Sequence, residues 1–132
     1  MLRQSRTLLM QTMRGDTALF TSVKGRIYPQ DIATLKDPSY PCITFSFNSG
    51  ASDENIPALA EVSVSLKSYS VKSYDEAWDI YEKSRTLLLF GVFEDSNVRI
   101  RVTESNTPTE RYDTVGNVYI VIAGLDLQII EV

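Results

Sequence analysis

The chain has 132 residues, 43% of them hydrophobic, with 13 Lys and Arg against 17 Asp and Glu, one cysteine and no histidine. That length fits one domain with a full-sized core, and a single cysteine excludes an internal disulfide. The missing histidine removes the commonest general base and metal ligand, and a net charge of −4 argues against a dedicated nucleic-acid binder, whose surface is ordinarily basic.

Leu2 to Met13 reads as a first helix, with Leu2, Leu9 and Met13 on one stripe and Arg3, Arg6 and Gln11 toward water. Gly15 interrupts it. Asp16 is a good N-cap for a short second helical turn burying Leu19, Phe20 and Val23. Gly25 sits where a helix C-terminal glycine belongs. Pro29, Pro38 and Pro41 then keep residues 29–41 out of regular structure apart from brief extended pieces. The polar start Gln4, Ser5 and Arg6 interrupts any leader-like apolar region. The longest apolar run, Val118 to Ala123, is too short to span a membrane. Together these features predict a soluble chain without a secretory leader.

Three segments alternate with period two. Ile43, Phe45 and Phe47 oppose Thr44, Ser46 and Asn48; Val62, Val64 and Leu66 oppose Ser63, Ser65 and Lys67; Val98, Ile100 and Val102 oppose Arg99, Arg101 and Thr103. The pattern predicts a sheet with one buried and one polar face. Between the first two strands lies an acidic loop, Asn48 to Ala60. The second strand leads to a helix signalled by a Ser73–Glu76 capping box, with Ala77, Ile80, Tyr81, Ser84 and Leu88 at helical spacing, Trp78 and Leu87 flanking, and Gly91 as terminator. This helix should cover the apolar sheet face. Val118 to Ala123 is apolar on both faces, and after Gly124 the pattern alternates. A two-faced apolar strand lies either under two layers or at a subunit contact. The expected fold is α+β: a mostly antiparallel sheet of about four to five strands covered on one face by helices, in a single domain spanning 1–132.

No catalytic constellation accompanies this layout. Cys42 lacks a histidine partner and reads as an inert strand cysteine. The serines from Ser63 to Ser73 lack a nucleophile setting, and no glycine-rich phosphate loop exists. Asp53 and Glu54 are possible oxygen ligands for a cation, but no full calcium-loop spacing surrounds them, and a solvated loop is the plain reading. Arg99 and Arg101, joined by Lys67, suit an acidic partner or a phosphate backbone; a solvated sheet face explains them equally well. Glu104 to Asp113, containing Arg111 and Tyr112, reads as a hairpin arm. Trp78, Tyr69, Tyr74 and Tyr81 form an aromatic group near the helix start, fit for the core or for an interface anchor.

The run Gly25-Arg26-Ile27-Tyr28-Pro29, the strand opening at Tyr40-Pro41 and running to Phe47, the strand Glu61 to Tyr69, the helix from Ser73 and the Arg111-Tyr112-Asp113 arm occur in an order that resembles the tail terminator, or tail completion, proteins of long-tailed bacteriophages. The likeness spans nearly the whole chain and is one of pattern, since that family has no invariant catalytic signature. It implies a non-enzymatic virion protein without cofactor or metal. Such proteins form a ring, usually sixfold, on the head-proximal end of the tail tube. The ring stops tube polymerisation and joins the tail to the head connector, and DNA passes through its lumen without specific binding. Assembly would occur in the host cytoplasm, with no membrane involved. Ring contacts are expected among Arg99, Arg101, Lys67, Asp53, Glu54, Arg111, Tyr112, Tyr119 and Val121. A head-completion or neck adapter is the nearest alternative. From another class comes a small cytosolic module holding an acidic metabolite at Arg99 and Arg101.

Overall fold

A computed structural model of the protein describes residues 2–50 and 59–132; Asp53 and Glu54 lie outside the described residues. Helices α1 (Leu2–Gly15) and α2 (Thr17–Ser22) precede β1 (Ile27–Tyr28), a single 3₁₀ turn (Ile32–Thr34) and β2 (Cys42–Gly50). There follow β3 (Leu59–Ser70), α3 (Tyr74–Leu88), β4 (Val92–Glu94), β5 (Val98–Glu104), β6 (Thr109–Asp113) and β7 (Val118–Glu131). The stretch expected to be loop from Asn48 to Ala60 is therefore strand at both ends.

The α+β class holds, but the sheet is larger than expected and mixed. Among the described residues, seven strands run in the order β1-β2-β3-β7-β5-β4, with β6 also on β7. β1 pairs parallel with β2 through Ile27↔Ile43, and the other pairs are antiparallel. The uncounted strands β1, β4 and β6 are short or polar. Thr109-Glu110-Arg111-Tyr112-Asp113 carries little apolar signal, and its strand form comes from pairing with Val118–Ile122.

β7 is the spine. β3 occupies one of its edges along Tyr119–Ile130, while β5 and β6 share the other edge end to end. The two meet at Gly124, whose carbonyl accepts from the Ser105 N–H at 3.1 Å. A Cβ on Gly124 would fall 2.7 Å from Asn106 Nδ2. The connection between β5 and β6 folds over the strand there, and a side chain at this position would displace the exposed Asn106 amide.

The helices cover one face. Phe45, Val62, Val64, Leu66, Ile100, Val102, Val121, Ala123, Leu125, Leu127 and Ile129 form one buried cluster with the inward residues of α1, α2 and α3. In α3 these are Ala77, Ile80, Tyr81, Ser84 and Leu88, matching the predicted spacing. Its base is tied to β3 by serines. Ser68 Oγ donates to the Ala77 carbonyl at 2.8 Å, and Ser70 Oγ donates to Glu76 Oε1 at 2.7 Å.

Local expectations differ in three places. The buried stripe of α1 is Ser5, Leu8, Leu9 and Met13, and Leu2 is exposed, because the i, i+3, i+4, i+8 set facing the sheet starts one turn later. Phe20 is exposed, while Leu19 and Val23 are buried as expected. The capping box is half made: Ser73 Oγ accepts from the Glu76 N–H at 3.1 Å, but Glu76 turns to Ser70, whose Oγ takes the Ser73 N–H at 3.3 Å instead. At the other end of α3 the left-handed residue is Phe90 (φ 59), not Gly91. A Cβ on Gly91 would meet the Phe93 ring at 2.6 Å, so any other residue there would have to displace that ring.

Candidate assembly surface

The face away from the helices is built from the alternate residues of the same strands. Register places Glu61, Gln128 and Arg101 in one cross-strand row and Ser63, Asp126 and Thr103 in the next. These residues line an open trough of about 540 Å³. Ser63 Oγ donates to Asp126 Oδ1 at 3.3 Å. Farther along the face, Lys67 lies beside Ile122 and Thr109, and Tyr69 beside Ile120 and Arg111.

The structure thus brings Lys67, Arg99, Arg101 and Arg111 onto one face. It is not a basic face, because Glu61, Asp113 and Asp126 share it and Glu94 lies at its margin. Arg99 pairs with Glu94 at 3.1 Å, with both side chains about half exposed, an arrangement worth little to folding. Among the described residues, Lys67, Arg101 and Arg111 have no carboxylate within ion-pairing distance.

One end of this face is roofed. Cys42, Tyr69, Val118 and Ile120 form a second, smaller buried cluster, covered by Tyr28, Ile32 and Tyr40 and flanked by Ile122. The two-faced apolarity of Val118 to Ala123 therefore has a source inside this chain: helices on one side, residues 28–40 on the other. Arg26 holds the roof. Its Nε donates to the Pro41 carbonyl at 3.0 Å and its Nη2 to the Tyr40 carbonyl at 2.9 Å. The Ile43 N–H returns to the Arg26 carbonyl at 3.0 Å. The Gly25–Pro29 run and the Tyr40-Pro41 pair are thus one structural unit.

Burial pushes the Cys42 thiol up to about 12, with Arg26 opposing, so the cysteine stays protonated and unreactive near neutrality. Burial also raises Tyr69 to about 12, against a hydrogen bond with Thr44. Tyr40, in the roof, is raised by burial and by the nearby Cys42 and Asp113.

Beside the roofed end, the β6–β7 hairpin forms the expected arm, and its tip residue Val115 is 93% exposed. Trp78 Nε1 donates to Glu110 Oε1 at 2.7 Å, tying the arm to α3. Tyr119 contacts Tyr74 and Tyr112, both with centroids at 4.9 Å. The aromatics near the helix start are therefore two groups. Tyr74 joins the arm and Trp78 meets Tyr81 edge-on, whereas Tyr69 lies on the opposite face against Tyr40. Of the expected contact residues, Val121 is fully buried in the helix-side core and is not on the surface of this chain. Tyr40 and Asp113, which help shape the roofed end, were not singled out as contacts. A cue was present in the Tyr-Pro pair and in the period-two spacing from Arg111.

Among the described residues, no cluster of three or more His, Cys, Asp or Glu fit to hold a metal occurs, and no helix is long and apolar enough to cross a membrane.

No protein-family model matches the chain, and no curated protein matches it either. The fold is similar to that of a solved chain from the virion of a native gene transfer agent (GTA) particle. The TM-score is 0.72 at 13% identity, covering 96% of this chain and 94% of that one. At that identity the likeness establishes a shared fold over nearly the full length of both chains.

Proposed function

We propose that this chain is a structural virion protein that caps the head-proximal end of a phage tail tube as a ring of identical copies. The ring ends tube polymerisation and forms the surface on which the head connector sits, while DNA passes through the lumen unbound. The observation that carries this reading is the end-to-end likeness in fold to a chain of a virion particle, joined to the order of sequence features found in tail terminators. The chemistry is consistent with it. The one thiol is buried and stays protonated near neutrality. The reading assigns no enzymatic activity. The cations Lys67, Arg99, Arg101 and Arg111 are contact residues in this scheme, toward the tube, the connector or a neighbouring copy.

Arg99→Glu with Arg101→Glu, introduced into the producing phage, tests the assignment. The variant should fold normally yet give non-infectious particles with tails of uncontrolled length. Full complementation by the double variant would remove this face from the assembly contacts.

A further inference from the structure

The roofed end of the open face encloses a cavity of about 210 Å³. Strand register sets its lining in rows. Lys67 stands beside Ile122, Tyr69 beside Ile120 and Arg111, and Val118 with Asp113 one row farther on. Ile32 and Tyr40 close it from the roof. The floor is apolar: Tyr69 and Val118 are 2% exposed and Ile120 8%. Lys67 and Arg111 flank that floor from the strands on either side of β7, which run roughly 10 Å apart. Neither has an ion partner among the described residues. Lys67 is half-buried on a strand interior to the sheet, and an ammonium held among aliphatic side chains is stabilised by a nearby anion.

Size and charge together select the occupant. Pockets that enclose a whole small molecule run from about 300 Å³ upward, so this one has room for one or two side chains. Two cations over an aliphatic floor match a carboxylate side chain next to an apolar one. The lining also holds one carboxylate, Asp113, and it is committed elsewhere: its Oδ1 accepts from the Val115 N–H at 2.9 Å in the hairpin turn. Asp113 lies at the level of Val118, two rows from Lys67 at the level of Ile122. The Lys67 side of the cavity is therefore left without an anion among the described residues, and an entering carboxylate meets attraction there and repulsion only at the far end.

Resting on the contact role given above to Lys67 and Arg111, we propose that the roofed cavity receives an acidic peptide segment of another protein of the particle, its carboxylates on Lys67 and Arg111 and an adjacent aliphatic side chain on the Tyr69–Ile120 floor. The test is methyl NMR of the full chain labelled at isoleucine, titrated with the peptide acetyl-Leu-Asp-Glu-Leu-amide. The signals of Ile32, Ile120 and Ile122 should shift, while Ile80 and Ile100, buried in the helix-side core, stay in place. The neutral acetyl-Leu-Asn-Gln-Leu-amide should bind at least about tenfold more weakly, and Lys67→Gln/Arg111→Gln should weaken the acidic peptide by a similar factor. If that variant does not fold, the unaltered chain is titrated at low and high salt instead, where the acidic peptide should lose affinity as salt rises. No shift at the three cavity isoleucines overturns the proposal, as does a neutral peptide that binds equally well or an affinity indifferent to salt. Binding of 3-methylbutanoate as tight as that of the peptide would make this a small-carboxylate site and overturns the peptide assignment. Loss of self-association in Lys67→Gln/Arg111→Gln, read by sedimentation, would give the cavity to a second copy and overturns the assignment to another protein. Each of these failures leaves the ring reading standing; absence of rings from the unaltered chain defeats that reading alone.

Discussion

The two faces of the sheet are made from alternate residues of the same strands, yet they have opposite characters. On the helix side, aliphatic side chains pack continuously from β2 to β5 and the buried hydroxyls of Ser68, Ser70 and Ser84 are hydrogen-bonded. On the other side, among the described residues, only the Cys42–Tyr69–Ile120 end is covered, and the remainder carries cations and carboxylates that mostly leave one another unpaired. A face that must specify a fold buries its apolar groups and satisfies its polar ones. A face left with unpaired charge adds little to folding and is available for contacts outside the chain.

That contrast sets the sizes of substitution effects. The largest belong to the helix side. Leu88 is 2% exposed, and Leu88→Ala should cost about 2–5 kcal/mol through lost burial and a residual cavity. A urea midpoint that hardly moves would mean the helix-side core is assigned wrongly. The roofed end should come next. Arg26→Ala removes two charged donors from the Tyr40 and Pro41 carbonyls and should cost about 2–3 kcal/mol. It should also speed hydrogen exchange at Ile43, whose N–H bonds the Arg26 carbonyl, relative to β5.

Alkaline pH separates the two clusters in a different way. Cys42 ionises near 12 in the folded chain against an ordinary 9.0, and Tyr69 near 12 against 10.0. Both folded values are raised, so the stability these groups contribute is complete below pH 9. It is lost as pH rises from 9 to 12, because only the unfolded chain then releases the protons. Thermal melts from pH 8 to 11 should show a steady decline, shallower in Cys42→Ala. The smallest effect on folding belongs to the open trough: Arg99→Glu with Arg101→Glu should stay within about 0.5 kcal/mol of wild type by urea denaturation.

The sequence disclosed the helix-side architecture well, because burial imposes a period. α3 and the alternating runs of β2, β3 and β5 stand where their apolar spacing puts them. It disclosed the open face only in part. The alternation put Lys67 on one polar strand face and Arg99 and Arg101 on another, and it equally puts Glu61 on the Lys67 side of β3 and Asp126 opposite Leu125 and Leu127. The strand pairing that joins these into one face of mixed charge is what no local pattern reveals. Short β1 and β4 were missed because partners, and not their own residues, make them strands, and polar β6 was legible only as a hairpin arm. Val118 to Ala123 carried an honest ambiguity. Two apolar faces require two layers, and the second layer, residues 28–40, is proline-broken chain with no period to identify it as a cover.

The central claim, that copies of this chain close into a ring, is tested most directly by electron microscopy of the purified protein across a concentration series. Annular particles of one uniform diameter, with an open centre, are the predicted result. Compact monomers at every concentration, with melting that shifts on adding small acidic metabolites, would contradict it and favour a ligand-binding module.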